Sequence, residues 1–366
     1  MAQETIVFTQ GGELPQNIRE LGQQMKPAGF TLHTLPGGAS AADIAAAMRE
    51  AEYLMGFVRF LPDEAYTQAT CLKLVQVLSA GYDSVNIAGA RKARVPICSN
   101  GGANSVAVAE HTLMLILAVY KKLVAFHQNV ASGRWHQGIP RTVDVYELEG
   151  KTVGLVGLGN IGQQVARRLQ AFDAKVIYYD AFRRSPEEEA RMGVQYVPLN
   201  TLLETADVVS LHVPLNDQTR HMIDAEALGR MKPKAILINT CRGEVVDEQA
   251  LIDALQKGRI LAAGLDTQAK EPADPANPLL TLPNVTLTPH SAGPTVDSFT
   301  KRFRNGYANI ARVASGQPAW WVIPEMVFDI VCLCLVNGQV IQWLDVHDDL
   351  LALLRQVAAE KEIKDA

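Results

Sequence analysis

The stretch VGLVGLGNIGQQVARRL, residues 153–169, decides the fold of this chain. It opens with a short apolar run, which is typical of a buried strand, and continues into a segment whose apolar residues recur at helical spacing. Gly157, Gly159 and Gly162 join the two in the pattern G-x-G-x-x-G. A strand, a tight glycine turn and a helix in this order predict the first turn of a doubly wound parallel sheet.

The three glycines also predict a dinucleotide site. The first permits a tight turn, the second lets the backbone approach a pyrophosphate, and the third lets the helix pack closely on the strand. The next predicted strand, AKVIYYD, ends in Asp180, 18 residues after Gly162, where a carboxylate would bind the adenosine ribose and repel a 2′-phosphate. NAD is therefore predicted rather than NADP. Arg183 and Arg184 would offset that repulsion if they faced the ribose, and the alternative is that they are solvated turn residues.

Strands and helices alternate in both halves of the chain. Residues 5–99 contain five apolar runs separated by helix-like segments, and the alternation restarts at Lys151. This alternation of strands and helices predicts two parallel sheets with helices on their faces. One long helix over residues 105–133 is predicted to join them, and another over residues 297–317 to return. The predicted division is a substrate domain of residues 1–103 and 292–325, an NAD-binding domain of residues 104–291 and an appendage of residues 326–366.

The bulk composition limits the partners of the chain. Of its 366 residues 48% are hydrophobic and 20% are charged, and the net charge is −5. This balance argues against nucleic acid as the main partner, because phosphate backbones require a basic surface. The five cysteines form none of the spaced pairs of a zinc site, so no metal is predicted. The sequence predicts neither a signal segment nor a membrane span, and a cytoplasmic protein is expected.

The appendage differs from the rest of the sequence. Two apolar segments flank Asn337-Gly338, a dipeptide that favours a tight turn, so a hairpin is predicted over residues 327–344 with a helix after it. Cys332 and Cys334 would point to one face of the first strand, where core packing is a simpler interpretation than metal or redox chemistry. We expect this segment to serve packing or association.

Polar side chains follow three consecutive predicted strands of the second half. NTCRGEVVDEQAL places Arg242 after one strand, and GLDTQAKEP places Asp266 and Glu271 after the next. LTPHSAGPT places His290 after the third, with small residues beside it that are expected to leave room for a substrate and the nicotinamide ring. Each residue alone would also suit a structural role, as a surface ion pair, a turn residue or a strand-end cap. Because the carboxyl ends of parallel strands line the ligand crevice, we expect them to converge on one small molecule.

Together these motifs resemble those of the D-isomer-specific 2-hydroxyacid dehydrogenase family, over roughly residues 50–325. They stand here as VGLVGLGNIG, HVPLNDQTRHMI, INTCRGEVVDEQALIDAL, GLDTQAKEP and TPHSAG. The resemblance implies an α/β protein with a flavodoxin-like substrate domain and a Rossmann NAD domain, both doubly wound, and an active-site cleft between them. It also implies a homodimeric, NAD-dependent enzyme that interconverts a 2-oxo acid and a D-2-hydroxy acid.

The same resemblance assigns roles to individual residues. His290 would be the acid/base, Glu271 its carboxylate partner and Arg242 the group that binds the substrate and polarises its ketone. The implied substrate-binding residues are Ser79, Ala80, Gly81, Asn104 and Arg242. The implied cofactor-binding residues are Gly157, Gly159, Asn160, Ile161, Gly162, Asp180, Val213, Pro214, Thr219, Thr240, Cys241, Arg242, Asp266 and His290. Asp266 is expected either to tune the site or to touch the cofactor.

Several alternatives stay open at the level of the sequence. Formate dehydrogenase resembles the same pattern but has a glutamine at the position of Glu271, so the carboxylate favours ketone and alcohol chemistry. A phosphite dehydrogenase-like oxidation uses a similar triad, and an NAD-sensing corepressor-type binding protein would retain it without turnover. The sequence does not choose among glyoxylate, hydroxypyruvate, pyruvate and bulkier 2-oxo acids.

Overall fold

The chain divides into two units, each built around one parallel sheet. The computed structural model describes residues 3–135 and 145–326 of the 366. One unit comprises Met1–Gly101 with Arg302–Ala366, and the other comprises Gly102–Lys301. The hairpin predicted over residues 327–344, its two cysteines and the helix after it lie outside the described residues.

The first unit contains a five-stranded sheet in which every pairing is parallel. Its strands are β1 (Glu4–Thr9), β2 (Phe30–Thr34), β3 (Tyr53–Gly56), β4 (Leu74–Val77) and β5 (Ile97–Cys98), in the order β2-β1-β3-β4-β5. Its helices are α1 (Gln16–Met25), α2 (Ala41–Met48), α3 (Asp63–Gln68) and α4 (Ile87–Lys92). The five predicted strands are therefore confirmed, and the strand order is the flavodoxin-like one.

The second unit begins with two helices and contains a seven-stranded, all-parallel sheet. The helices are α5 (Ser105–Tyr120) and α6 (Leu123–Ala131). After them come β6 (Thr152–Val156), α7 (Asn160–Gln170), β7 (Lys175–Tyr179), α8 (Pro186–Met192), β8 (Gln195–Tyr196), α9 (Leu199–Thr205), β9 (Val208–Leu211), α10 (Ala225–Arg230), β10 (Ile236–Asn239), α11 (Glu248–Gln256), β11 (Ala262–Leu265), β12 (Val285–Leu287) and α12 (Val296–Ala314).

The strand order of the second sheet is β12-β11-β10-β9-β6-β7-β8. If the strands are numbered from β6, this is the Rossmann order 3-2-1-4-5-6 with a seventh strand, β12, added beside the sixth. The predicted doubly wound fold is therefore confirmed. The order reverses between β6 and β9, which pair in register from Val153 with Val208 to Val156 with Leu211. In sheets of this kind ligands bind outside the carboxyl ends of the strands at such a reversal.

The single long helix predicted over residues 105–133 is wrong. The helix is broken between α5 and α6, where Lys122 has a left-handed backbone with φ of 50°. The carbonyl of Tyr120 accepts the amide of Tyr146 at 3.1 Å, so a distant part of the chain bonds the end of α5. The apolar spacing continues through the break, which is why it predicted a single helix.

The division between the units differs in detail from the predicted domain limits. It falls after Gly101 and again after Lys301, inside α12, whereas the sequence placed the second limit after residue 291. Residues 292–301 thus belong to the second unit, which contains the whole segment around His290. Apolar side chains fill both faces of the second sheet, with Leu155 and Ile238 on one side and Val209 and Leu237 on the other.

Candidate active site

The glycines after β6 form a cradle at the reversal of strand order. Gly157 has φ of +100°, and a Cβ there would lie 2.5 Å from the carbonyl oxygen of His212, at the end of β9. A Cβ on Gly162 would lie 2.3 Å from the carbonyl oxygen of Gly157, so this glycine lets α7 pack directly on the turn. Gly159, the N-cap of α7, has no atom within 4 Å of such a position. The open helix N-terminus therefore fits a dinucleotide pyrophosphate.

Asp180 lies directly beside this cradle. Its Oδ2 accepts the amide of Leu158 at 2.7 Å, and its Oδ1 accepts the amide of Phe182 at 3.0 Å. Each carboxylate oxygen can accept a further hydrogen bond, so the group still suits the two hydroxyls of a ribose. One hydrogen bond thus joins the Asp180 carboxylate to the glycine turn.

The other residues assigned to the cofactor follow neighbouring strands. Asn160 and Ile161 form the first turn of α7. The Thr219 hydroxyl donates to the Pro214 carbonyl at 2.6 Å and so closes the loop after β9. The residues after β9 and β10 in this set are Val213, Pro214, Thr219, Thr240 and Cys241. The set therefore surrounds the carboxyl ends of β6, β9 and β10.

His290 and Glu271 form a hydrogen-bonded pair. His290 Nδ1 lies 2.7 Å from Glu271 Oε2, and the two side chains are 45% and 40% exposed. The other carboxylate oxygen, Oε1, accepts the amide of Gln268 at 3.1 Å. Because Nδ1 is engaged by the carboxylate, Nε2 is the ring nitrogen that is placed for proton exchange with a bound molecule.

Arg242 is held by a turn after β10 that is closed by a buried asparagine. The side chain of Asn239, 1% exposed, donates to the Arg242 carbonyl at 2.8 Å and accepts the Cys241 amide at 3.0 Å. A Cβ on Gly243 would lie 2.0 Å from the carbonyl carbon of Gln268, so the turn packs backbone against backbone on the segment that precedes Glu271.

The charge of Glu271 depends on its neighbours in this cluster. Burial alone would raise the pKa of Glu271, but the hydrogen bonds from His290 and the Gln268 amide, with the charges of His290 and Arg242, hold that pKa below its usual value. Glu271 is therefore ionised at neutral pH, and its negative charge lies against the imidazole. The three predicted catalytic residues lie together in the second unit.

Asp266 has surroundings of a different kind. It is 1% exposed, and its pKa is lowered to about 2 because its hydrogen bonds outweigh the effect of burial, which would raise it. The carboxylate faces the amides of Ser291 (2.9 Å) and Ala292 (3.0 Å), the hydroxyl of Thr288 (2.6 Å) and Nε2 of His111 (3.3 Å). The residues bonded to it lie on both sides of His290 in the chain.

The backbone conformation of His290 also depends on Asp266. Its amide donates to the Asp266 carbonyl at 2.8 Å, and its φ of 53° lies in the left-handed region. A non-glycine residue occupies that region only where its surroundings fix it, and here the bonds to Asp266 do so. Sequence reasoning missed His111 on α5, which reaches Asp266 and also the Thr288 hydroxyl at 2.9 Å.

The predicted substrate-binding residues are distributed over both units. Ser79, Ala80 and Gly81 follow β4 in the first unit, where the Ser79 hydroxyl donates to the Gly81 carbonyl at 2.6 Å. Asn104 is the N-cap of α5 in the second unit and is 7% exposed. Within residues 3–135 and 145–326 no three His, Cys, Asp or Glu side chains are grouped as metal ligands would be. No helix in those same ranges combines the length and apolar character that a membrane crossing requires.

Comparison with known proteins identifies the family. Residues 113–292 match the model described as D-isomer specific 2-hydroxyacid dehydrogenase, NAD binding domain. A glyoxylate reductase of Thermofilum pendens is 40% identical over 255 residues, which is 69% of this chain and 75% of that protein. A glyoxylate/hydroxypyruvate reductase B of Serratia proteamaculans is 35% identical over 301 residues, 81% of this chain and 90% of the other.

A solved structure supports the same conclusion. It is an NADPH-dependent glyoxylate/hydroxypyruvate reductase from Sinorhizobium meliloti in complex with NADP and malonate, 30% identical, with a TM-score of 0.75 over 88% of this chain and 98% of that one. The chain belongs to the D-isomer-specific 2-hydroxyacid dehydrogenase family, as its motifs predicted. It is an oxidoreductase with a nicotinamide dinucleotide cofactor, of the class that interconverts 2-oxo and 2-hydroxy acids.

Substitutions at Gly162 and Gly159 should have different effects, the first mainly on stability and the second mainly on cofactor binding. Gly162→Ala should destabilise the protein by about 1–3 kcal/mol, because its methyl group must displace the backbone of the preceding turn. Gly159→Ala should cost at most about 1 kcal/mol, the cost of a poorer N-cap, but should weaken cofactor binding by occupying the space beside the helix N-terminus. Thermal unfolding without cofactor and calorimetric titration with NAD+ measure the two effects. A lower melting temperature for Gly159→Ala than for Gly162→Ala would contradict this account.

Proposed function

We propose that the chain is an NAD-dependent D-2-hydroxyacid dehydrogenase that reduces a small 2-oxo acid, with His290 as its acid/base. The observation that carries the proposal is the 2.7 Å hydrogen bond between His290 and an ionised Glu271, whose pKa the neighbouring Arg242 helps to lower. The names of the relatives support glyoxylate and hydroxypyruvate as the first substrates to test.

Each residue of the cluster has a separate task in this reaction. When bound, the reduced nicotinamide would supply the hydride that C2 of the oxo acid accepts. Arg242 binds the substrate carboxylate and polarises the ketone, and protonated His290 donates from Nε2 to the ketone oxygen. Glu271 holds Nδ1 and stabilises the protonated ring. In alcohol oxidation, neutral His290 accepts the hydroxyl proton at the same nitrogen.

Three further roles are part of the proposal. The amides of Ser79, Ala80 and Gly81 contribute to binding the substrate carboxylate, and Asn104 is a polar contact of the substrate. Asp266 positions the His290 loop rather than binding the cofactor, since four donors within the second unit already surround its carboxylate. Asp180 favours NAD over NADP, because its charge lies where the ribose hydroxyls bind.

The direct test uses the purified protein with NADH, NADPH and a panel of 2-oxo acids ranked by kcat/KM. We expect turnover with NADH, and chiral analysis should identify the D-hydroxy acid as the product. An L-product, or better use of NADPH than NADH, would contradict the corresponding part of the proposal. Phosphite-dependent formation of NADH, or NAD-dependent association with another protein without turnover, would favour the alternative functions.

The pair of His290 and Glu271 predicts a shift of the pH profile. The ionised Glu271 carboxylate lies 2.7 Å from Nδ1 of the ring that must carry the proton in ketone reduction. Glu271→Gln keeps the shape and removes the charge, so the alkaline limit of ketone reduction should move to lower pH. The acidic limit of alcohol oxidation should move in the same direction. We expect both shifts to be small, because the two side chains are about half-exposed and solvent screens their interaction.

The measurement is kcat/KM against pH in both directions, with Arg242→Ala as the comparison. That substitution should lower kcat/KM at every pH through weaker substrate binding. Unchanged limits in Glu271→Gln would mean that the carboxylate does not tune the histidine.

We further propose that the protein is a homodimer in which α5 packs against a second copy. Among its 16 residues α5 carries one Asp, Glu, Lys or Arg side chain, Glu110, so apolar side chains cover nearly all its faces. Its outer side forms a groove of about 530 Å³ with Met114 and Leu123, which are 44% and 57% exposed. Glu110 and Lys121 also line this groove, and Glu110 is already paired with Arg168 at 3.3 Å. Two copies paired about a two-fold axis would bury the exposed apolar side chains of the groove against one another.

The assembly proposal is tested with charged substitutions in the groove. Met114→Asp with Leu123→Asp should convert the dimer into a folded monomer, because burying two carboxylates in an apolar interface is unfavourable. Leu280→Asp, at a site that is 40% exposed and outside the groove, is the matched control and should remain dimeric. Static light scattering at micromolar concentration gives the mass of each. A monomeric wild-type protein would refute the proposal.

A further inference from the structure

The loop after β7 contains an arginine that is held by an acidic side chain. Arg183 donates from Nε to Glu189 Oε1 at 2.8 Å and from a terminal nitrogen to Glu189 Oε2 at 3.1 Å. Its guanidinium also lies over the ring of Tyr196, 5.0 Å from the ring centre. A two-point contact of this kind fixes both the position and the orientation of the guanidinium.

Glu189 is well placed to hold that arginine. It lies on α8, its side chain is 11% exposed, and its Oε1 also accepts the hydroxyl of Tyr178 at 3.0 Å. The hydrogen bond from Arg183 holds the pKa of Glu189 below its usual value, so the carboxylate is charged at neutral pH. The Tyr178 hydroxyl in turn accepts the backbone amide of Arg184 at 2.9 Å. One network therefore fixes the loop that carries both arginines.

This loop adjoins the place where the two nicotinamide cofactors differ. Asp180 ends β7 beside the phosphate cradle, at the position that binds the adenosine ribose in a Rossmann fold. NADP carries its additional phosphate on that ribose, and an arginine close to the acidic residue accommodates it. Arg183 follows Asp180 by three residues, but its guanidinium is bonded to Glu189.

We infer that Glu189 is a specificity-determining residue for the cofactor, which withholds the Arg183 guanidinium from a 2′-phosphate. The preference for NAD then has two causes in this chain. Asp180 repels the phosphate directly, and Glu189 holds the guanidinium of Arg183, one of the two arginines of this loop. The other, Arg184, lies 3.5 Å from the Leu158 carbonyl through a terminal nitrogen. The inference rests on the proposed NAD-dependent function and adds a residue that does not itself touch the cofactor.

The test measures binding rather than turnover. Glu189→Gln keeps the size of the side chain and an acceptor for Tyr178 but loses the charge that holds Arg183. Calorimetric titration should then give a dissociation constant for NADP+ that is lower by about tenfold, the size expected of one charge-assisted contact with a phosphate. The constant for NAD+ should change by less than about twofold, since NAD+ has no group for the released guanidinium to bind.

Two companion variants assign the effect to Arg183. Arg183→Gln alone should leave the NADP+ constant unchanged, because the wild-type guanidinium is withheld. The double variant Arg183→Gln with Glu189→Gln should lose the whole gain. A gain that persists in the double variant, or an unchanged ratio of the NADP+ and NAD+ constants in Glu189→Gln, would overturn the inference.

Asp180→Ser separates the two causes of the preference. Alone it should improve NADP+ binding, and adding Glu189→Gln should improve it again by a similar factor. If Glu189→Gln does not fold, Glu189→Asp, which shortens the side chain and spoils the two-point contact, should give a smaller gain in the same direction. If the wild-type protein bound neither NAD+ nor NADP+, the proposed function would fail and the inference with it. Normal NAD+ binding with an unchanged ratio would refute the inference alone.

Discussion

The arrangement of the cluster of Arg242, Glu271 and His290 depends on one buried carboxylate. Asp266 is removed from water, and an ionised group in that position is stable only if hydrogen bonds replace its hydration. Those bonds come from both sides of His290 and hold its backbone in a left-handed conformation. The small residues after the histidine therefore have a structural reason of their own. Ala292 is 3% exposed and its amide points at the carboxylate, where a large side chain would have no space.

The sequence predicted those parts of the fold and site that local patterns control. The glycines after β6 required a strand on one side and a helix on the other, and Asp180 followed from the same fold. The break at Lys122 did not follow from the apolar spacing, and the bond beside it joins the Tyr120 carbonyl to Tyr146, a residue far along the chain. The contact of His111 with Asp266 likewise joins distant segments. Such contacts can be recognised only in the folded structure, where the sheet brings distant segments of the chain together.

Glu189 shows a different limit of sequence reasoning. Three consecutive glutamates begin α8, and their spacing alone does not say which of them faces the preceding loop. The structure separates them, because Ser185 and Glu188 form a capping box while Glu189 points to the Tyr178 hydroxyl. The interpretation of Arg183 as a solvated turn residue was therefore incomplete. The arginine is exposed at the surface, yet it has a specific partner in Glu189.

Asp266 and Glu271 show how the surroundings of a carboxylate set its role. Asp266 and Glu271 both follow β11, and residue type alone does not distinguish them. Asp266 is surrounded by donors and has a pKa of about 2, so its charge is constant over the working range and its effect is to fix the backbone. Glu271 is half-exposed and bonds one amide and one imidazole, so its charge lies against the ring of His290. One acid therefore fixes the backbone position of the histidine, and the other orients its ring through Nδ1 and leaves Nε2 to other partners.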